Sequence, residues 1–114
     1  MSDARPDSRP GPALTPAQRA ALPRELRPFV DPLGRLKGWP ARQKVQRLAA
    51  TYLAGKFEPG REYDEQAVNF LLMEWHTFGD WALLRRVLFD WRLLDRERDG
   101  SRYRLRADEP SARA

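Results

Sequence analysis

His76 is the only histidine of this 114-residue chain, and cysteine is absent. An imidazole works as a general acid or base beside a nucleophile or an orienting partner, and no serine or second histidine stands in a supporting pattern. His76 therefore reads as a helix-end or packing residue. Glu58, Glu62, Glu65 and Glu74 lack His or Cys companions, which suits a solvated acidic face better than a metal site. Gly55, Gly60 and Gly79 punctuate helices and form no phosphate loop. Without cysteine, disulfide scaffolds, thiolate metal centres and thiol catalysis are excluded. The expectation is a protein that is not an enzyme and carries no cofactor or metal.

The chemistry that the composition does favour belongs to arginine. Of 21 basic residues only Lys37, Lys44 and Lys56 are lysines, which leaves 18 arginines against 16 acids and a net charge of +5. The planar guanidinium matches phosphates and base edges as an ammonium does not. A coding bias toward arginine gives the same composition, so position has to decide. Residues 39–57 carry Arg42, Lys44, Arg47 and Lys56 with no acid, residues 58–80 carry six acids against Arg61 alone, and residues 81–106 carry eight arginines against four acids. No apolar run approaches the roughly 20 residues of a membrane span. The N-terminus lacks the apolar stretch of a secretory signal and is interrupted by proline, so a cytoplasmic protein is expected.

The elements that must position these charges follow from periodicity. Seven of ten prolines precede residue 39, so residues 1–28 read as a flexible Pro-rich segment, within which Thr15 and Pro16 could open a short helix that Pro23 stops. Phe29, Val30, Leu33 and Leu36 are apolar enough to lie against a domain spanning 29–106, with Gly34 as a turn. From Pro40, the positions Ala41, Val45, Leu48, Ala49, Tyr52 and Leu53 trace one buried helical stripe that Gly55 ends. Asp64 caps a second helix with Val68, Leu71, Leu72 and Trp75 on one face, ending near His76. Between these helices a brief extended piece is expected at Arg61 to Tyr63. After Gly79, Asp80 caps a third helix lined by Trp81, Leu84, Val87, Leu88 and Trp91. Asp99 and Gly100 then read as a tight turn between two short strands, with Tyr103 and Leu105 packed and Arg102, Arg104 and Arg106 outward. Residues 107–114 read as a flexible tail. The four tryptophans are expected to supply core volume, with Trp39 or Trp81 as exposed anchors.

Helix, extended piece, helix, tight turn, helix and hairpin is the order of a winged helix-turn-helix, whose third helix enters a major groove. The predicted fold is mostly α with a small β-hairpin: three helices plus a wing. With Leu84, Leu88 and Trp91 inward, Ala82, Arg86 and Phe89 point away from the core and Arg85 lies on the flank. The hairpin adds Arg96, Arg98, Arg102 and Arg104 for phosphate contact. Acids of the second helix could instead pair with Arg85 or Arg86, and such pairs on solvated faces contribute only about 0–1 kcal/mol each.

Leu36, Trp39-Pro40, Lys56-Phe57-Glu58-Pro59-Gly60-Arg61, Tyr63-Asp64-Glu65, Val68-Asn69, Asp80, Leu84-Arg85-Arg86, Asp90, Leu93-Leu94-Asp95-Arg96, Asp99-Gly100-Ser101 and Tyr103 together resemble the prokaryotic domain-of-unknown-function family twenty eighty-seven. The resemblance runs from about Phe29 to Leu105. It implies a winged-helix-like fold and a regulatory setting, since members occur alone or joined to domains of transcriptional activators. The family tends to carry an acid where this chain has Ala67, so a capping box after Asp64 is incomplete here.

The expected function is a DNA-binding module of transcription regulation. Arg85, Arg86 and Phe89 would act on the recognition helix, about 80–91, and Arg98, Arg102 and Arg104 on the basic wing, about 94–105. The partner is double-stranded DNA, with a homodimer expected on paired half-sites. The alternative is a protein–protein interaction module of the same fold, with Trp39, Trp81 and Phe89 as an exposed apolar patch.

Overall fold

The computed structural model describes residues 13–97, 99 and 101–106. The expectations of a flexible start and tail fall in large part on residues 1–12 and 107–114, outside the described residues, as does Arg98. Helix α1, Pro16–Ala20, begins where the Thr15-Pro16 pair predicts. Thr15 Oγ1 accepts from the Gln18 N–H at 3.0 Å while Gln18 Oε1 accepts from the Thr15 N–H at 2.9 Å, a reciprocal capping box. A 3-10 turn follows at Arg27–Phe29. Arg19 locks this segment by donating to the carbonyls of Val30 at 2.7 Å, Arg27 at 3.1 Å and Asp31 at 3.3 Å. Leu26, which directly precedes that turn, is fully buried in the same core as the later helices.

Helix α2, Gln43–Ala54, buries Val45, Ala49, Ala50, Leu53 and Ala54. Ala41, expected on its buried stripe, lies exposed before the first turn, because Arg42 is the N-cap and Gln46 reaches back to the Pro40 carbonyl at 2.8 Å. Helix α3, Glu65–Glu74, is capped by Asp64, whose carboxylate accepts from the Ala67 N–H at 2.8 Å. Alanine cannot return that bond, so one half of the capping box is missing. Helix α4, Trp81–Asp90, follows Gly79 in a left-handed turn (φ 70°) and is capped by Asp80. Val68 and Leu72 of α3, and Leu84 and Leu88 of α4, all lie in the one core cluster.

His76 joins these two helices. Its Nδ1 bonds the Leu72 carbonyl and its Nε2 accepts from the Asp80 N–H at 2.9 Å, a pairing that fits the neutral ring. Leu36 runs alongside, its N–H donating to Trp75 O at 2.9 Å and its carbonyl accepting from Thr77 N at 2.8 Å. The packing role expected of His76 thus includes closing the turn between α3 and α4.

Helix α4 ends in a Schellman arrangement. The Leu93 N–H reaches Leu88 O at 2.9 Å and the Arg92 N–H reaches Phe89 O at 3.0 Å, with Arg92 itself at φ 62°, the place that glycine usually takes. Strands β1, Leu94–Arg96, and β2, Tyr103–Leu105, then pair antiparallel with Leu94 opposite Leu105, Asp95 opposite Arg104 and Arg96 opposite Tyr103. The predicted extended piece before α3 appears as Tyr63, which exchanges backbone bonds with Tyr103 at 2.8 and 2.7 Å. Tyr63 Oη turns the other way and accepts from the Glu58 N–H at 2.8 Å.

The architecture is mostly helical with an antiparallel hairpin, and its core is leucine-rich: Leu26, Leu36, Leu53, Leu72, Leu84, Leu88 and Leu94 are all at or below 1% exposure. The tryptophans do not fill it. Trp39, Trp75 and Trp91 are half-buried at its rim and Trp81 is exposed, since an indole is too large for the gaps between closely packed helices of alanine and leucine. Their faces carry cations instead, Arg47 over Trp91 at 5.0 Å and Lys56 over Trp75 at 4.2 Å.

Candidate nucleic-acid interface

Because Leu84 and Leu88 face the core, Ala82, Arg86 and Phe89 form one outward stripe of α4, and all three are exposed. The Arg86 side chain is 79% exposed, with its Nε 3.7 Å from Asp90 one turn on. A cleft of about 470 Å³ runs between this stripe and the hairpin, with Arg86, Phe89, Arg96 and Tyr103 in its walls. Arg96 crosses it: its guanidinium stands 4.4 Å over the Phe89 ring. The register explains this contact, since Arg96 is opposite Tyr103 and shares its face of the ribbon, the one turned toward the core.

Arg85 lines the same cleft, with Glu65 and Asp90, but is engaged with α3. It donates to the Asn69 side-chain oxygen and lies 3.7 Å from Glu65, so it ties α4 to α3. Arg102 and Arg104 lie on the other face of the ribbon from Arg96. Both donate to Glu62, at 2.7 and 3.2 Å, and Arg104 also approaches Glu97 at 3.6 Å. Arg106 donates to Asp95 at 3.1 Å. At the turn, the N–H and hydroxyl of Ser101 bond the Asp99 carboxylate at 2.9 and 2.7 Å and hold it below the usual carboxylate range, the hydroxyl having the larger effect.

Of the residues singled out from the sequence, Arg86 and Phe89 therefore come together on one accessible face. Arg85 stands at its flank, engaged with α3. Arg102 and Arg104 are on the hairpin, paired with acids. Sequence reasoning passed over two participants, Glu62 and Asn69. Glu62 was grouped with a solvated acidic face, and its partners lie 40 and 42 residues away, so no local spacing marks it. Asn69 is 16 residues from Arg85 and equally unmarked. Arg96 was legible as a hairpin cation, but its stack on Phe89 depends on strand register.

Among the exposed large apolar residues, Phe70 at 60% and Met73 at 40% lie on α3, while Trp81 and Phe89 lie on α4. Trp39, expected with Trp81 and Phe89 in an exposed patch, is half-buried and packs against the core. No helix among the described residues is long and apolar enough to cross a membrane.

The profile of the family described as "Uncharacterized protein conserved in bacteria (DUF2087)" matches residues 35–105, a span from the turn before Leu36 to the end of β2. No curated protein and no solved structure matches the chain.

Proposed function

The chain belongs to this uncharacterized family conserved in bacteria, and from the arrangement of α4 and the hairpin we propose that it is a winged helix-turn-helix module that binds double-stranded DNA in cytoplasmic transcription regulation. Helix α4 is the recognition helix and the β1–β2 hairpin is the wing. The observation that carries the reading is the exposed stripe of Ala82, Arg86 and Phe89 beside a hairpin that contributes Arg96 across a shared cleft. An α-helix with its side chains is about 10–12 Å across, which matches the major-groove width of about 12 Å, and the ten residues of α4 run about 15 Å along it. In this reading Arg96, Arg102 and Arg104 of the hairpin would supply the contacts to phosphates flanking that groove.

Titration with mixed-sequence duplex at two salt concentrations tests this. Binding should weaken steeply as salt rises. Arg86→Glu should reduce affinity by about tenfold or more while the melting temperature stays nearly unchanged, because the side chain supports no packing. Unaltered binding by Arg86→Glu would remove α4 from the groove.

A second reading, a protein-interaction module, is favoured by the exposure of Phe70 and Met73 one turn apart on α3. It predicts no duplex binding at low salt, and loss of a co-purifying protein partner in Phe70→Ser.

A further inference from the structure

Helix α4 presents Ala82, Arg86 and Phe89 at successive intervals of four and three residues, and the two outer positions are apolar although exposed. Seven residues of helix span about 10 Å, which is about three steps of stacked base pairs. In the major groove, the one apolar group that a base pair offers is the thymine methyl, and the bidentate match of a guanidinium is guanine O6 and N7. Arg86, 79% exposed and paired through Nε with Asp90, can present its two terminal nitrogens as that fork. Arg85 does not compete with it, being held by Asn69 and Glu65. Arg96 covers the face of Phe89 at 4.4 Å and so orients the ring, which is still 36% exposed.

Resting on the duplex-DNA reading above, we propose that α4 selects a guanine flanked by thymines within a window of about four base pairs, with Arg86 reading the guanine and Ala82 and Phe89 meeting the methyl groups. Arg96 is the positioning residue for Phe89. In this arrangement Asp90, 3.7 Å from Arg86, aligns the fork from the side of the helix.

Selection from a randomised duplex pool with the full chain, followed by sequencing, should enrich guanine with thymine on both sides. Replacing each flanking thymidine of the selected duplex by deoxyuridine removes only the methyl group and should weaken binding about fourfold per position. In Phe89→Ala, one of the two replacements should lose its effect. Arg86→Gln, whose amide matches adenine N6 and N7, should lose the preference for guanine while retaining salt-dependent binding. Salt-dependent binding with no enriched sequence, or a deoxyuridine duplex bound as tightly as its thymidine counterpart, overturns the base assignment and leaves the duplex reading standing. Failure to bind any duplex at low salt overturns both.

Discussion

The Glu62 carboxylate receives the Arg102 guanidinium at 2.7 Å, across 40 residues of sequence. Arg104 approaches the second oxygen of the same carboxylate at 3.2 Å. In the duplex-DNA reading, a phosphate bound between these two hairpin arginines would have to displace Glu62. Exposed pairs of this kind contribute about 0–1 kcal/mol each. Glu62→Gln should raise affinity for duplex DNA about threefold and steepen the slope of log K against log salt by up to about 2. The hairpin should keep its place through the Tyr63–Tyr103 backbone bonds, checked by an unchanged thermal melt. Equal affinity and slope in Glu62→Gln would mean that these arginines meet no phosphate.

Arg92 occupies the left-handed region after α4 with a side chain that this conformation disfavours by about 1 kcal/mol. Arg92→Gly should raise stability by about 0.5–1 kcal/mol, seen as a higher urea midpoint at constant m. Arg92→Ala is the control. It retains the Cβ that causes the strain, so it should bring no comparable gain.

Asp31 is 8% exposed, and burial works against its charge. The Arg35 and Leu33 N–H groups at 2.8 and 2.9 Å and the Arg35 guanidinium at 2.8 Å outweigh that cost and hold the carboxyl below the usual range. With its folded-state value depressed, Asp31 contributes stability that is present above the unfolded value of about 3.9 and is lost as pH falls through the lower folded value. Asp31→Asn should lower stability at neutral pH and flatten the decline below about pH 4, as measured by denaturant titration across pH. An unchanged acid decline would assign it to other carboxylates.

His76 satisfies one backbone acceptor and one backbone donor at the joint of α3 and α4. His76→Phe fills the volume but strands the Asp80 N–H, while the Leu72 carbonyl keeps the Trp75 N–H at 3.1 Å, and should cost about 1–3 kcal/mol in urea unfolding. A loss well under about 1 kcal/mol would mean that water reaches the joint.

Local rules were enough for the elements. Thr15, Asp64 and Asp80 mark the starts of α1, α3 and α4 because an N-cap is a relation within three residues. Asp99 lies in the turn between β1 and β2 for the same reason, while Gly100 is outside the described residues. Contacts at long range left no such mark. Arg19 caps three carbonyls around the 3-10 turn, and Leu26 enters the core, features for which the proline-rich composition before residue 29 carries no signal. The exposed stripe of α4 could be read from helical periodicity, whereas the division of the hairpin cations between Phe89 and Glu62 required the strand register. Size, not hydrophobicity, decides where tryptophan fits, which is why Trp39, Trp75 and Trp91 lie at the rim.

A two-stranded ribbon offers unpaired peptide groups on both flanks, and each flank can recruit a foreign strand. On the outer flank of β2 the donor and acceptor of Tyr103, its first residue, are already spent on Tyr63. Edge-to-edge polymerisation through β2 is thereby blocked at its first residue, without a charged or proline gatekeeper in that strand's inward face.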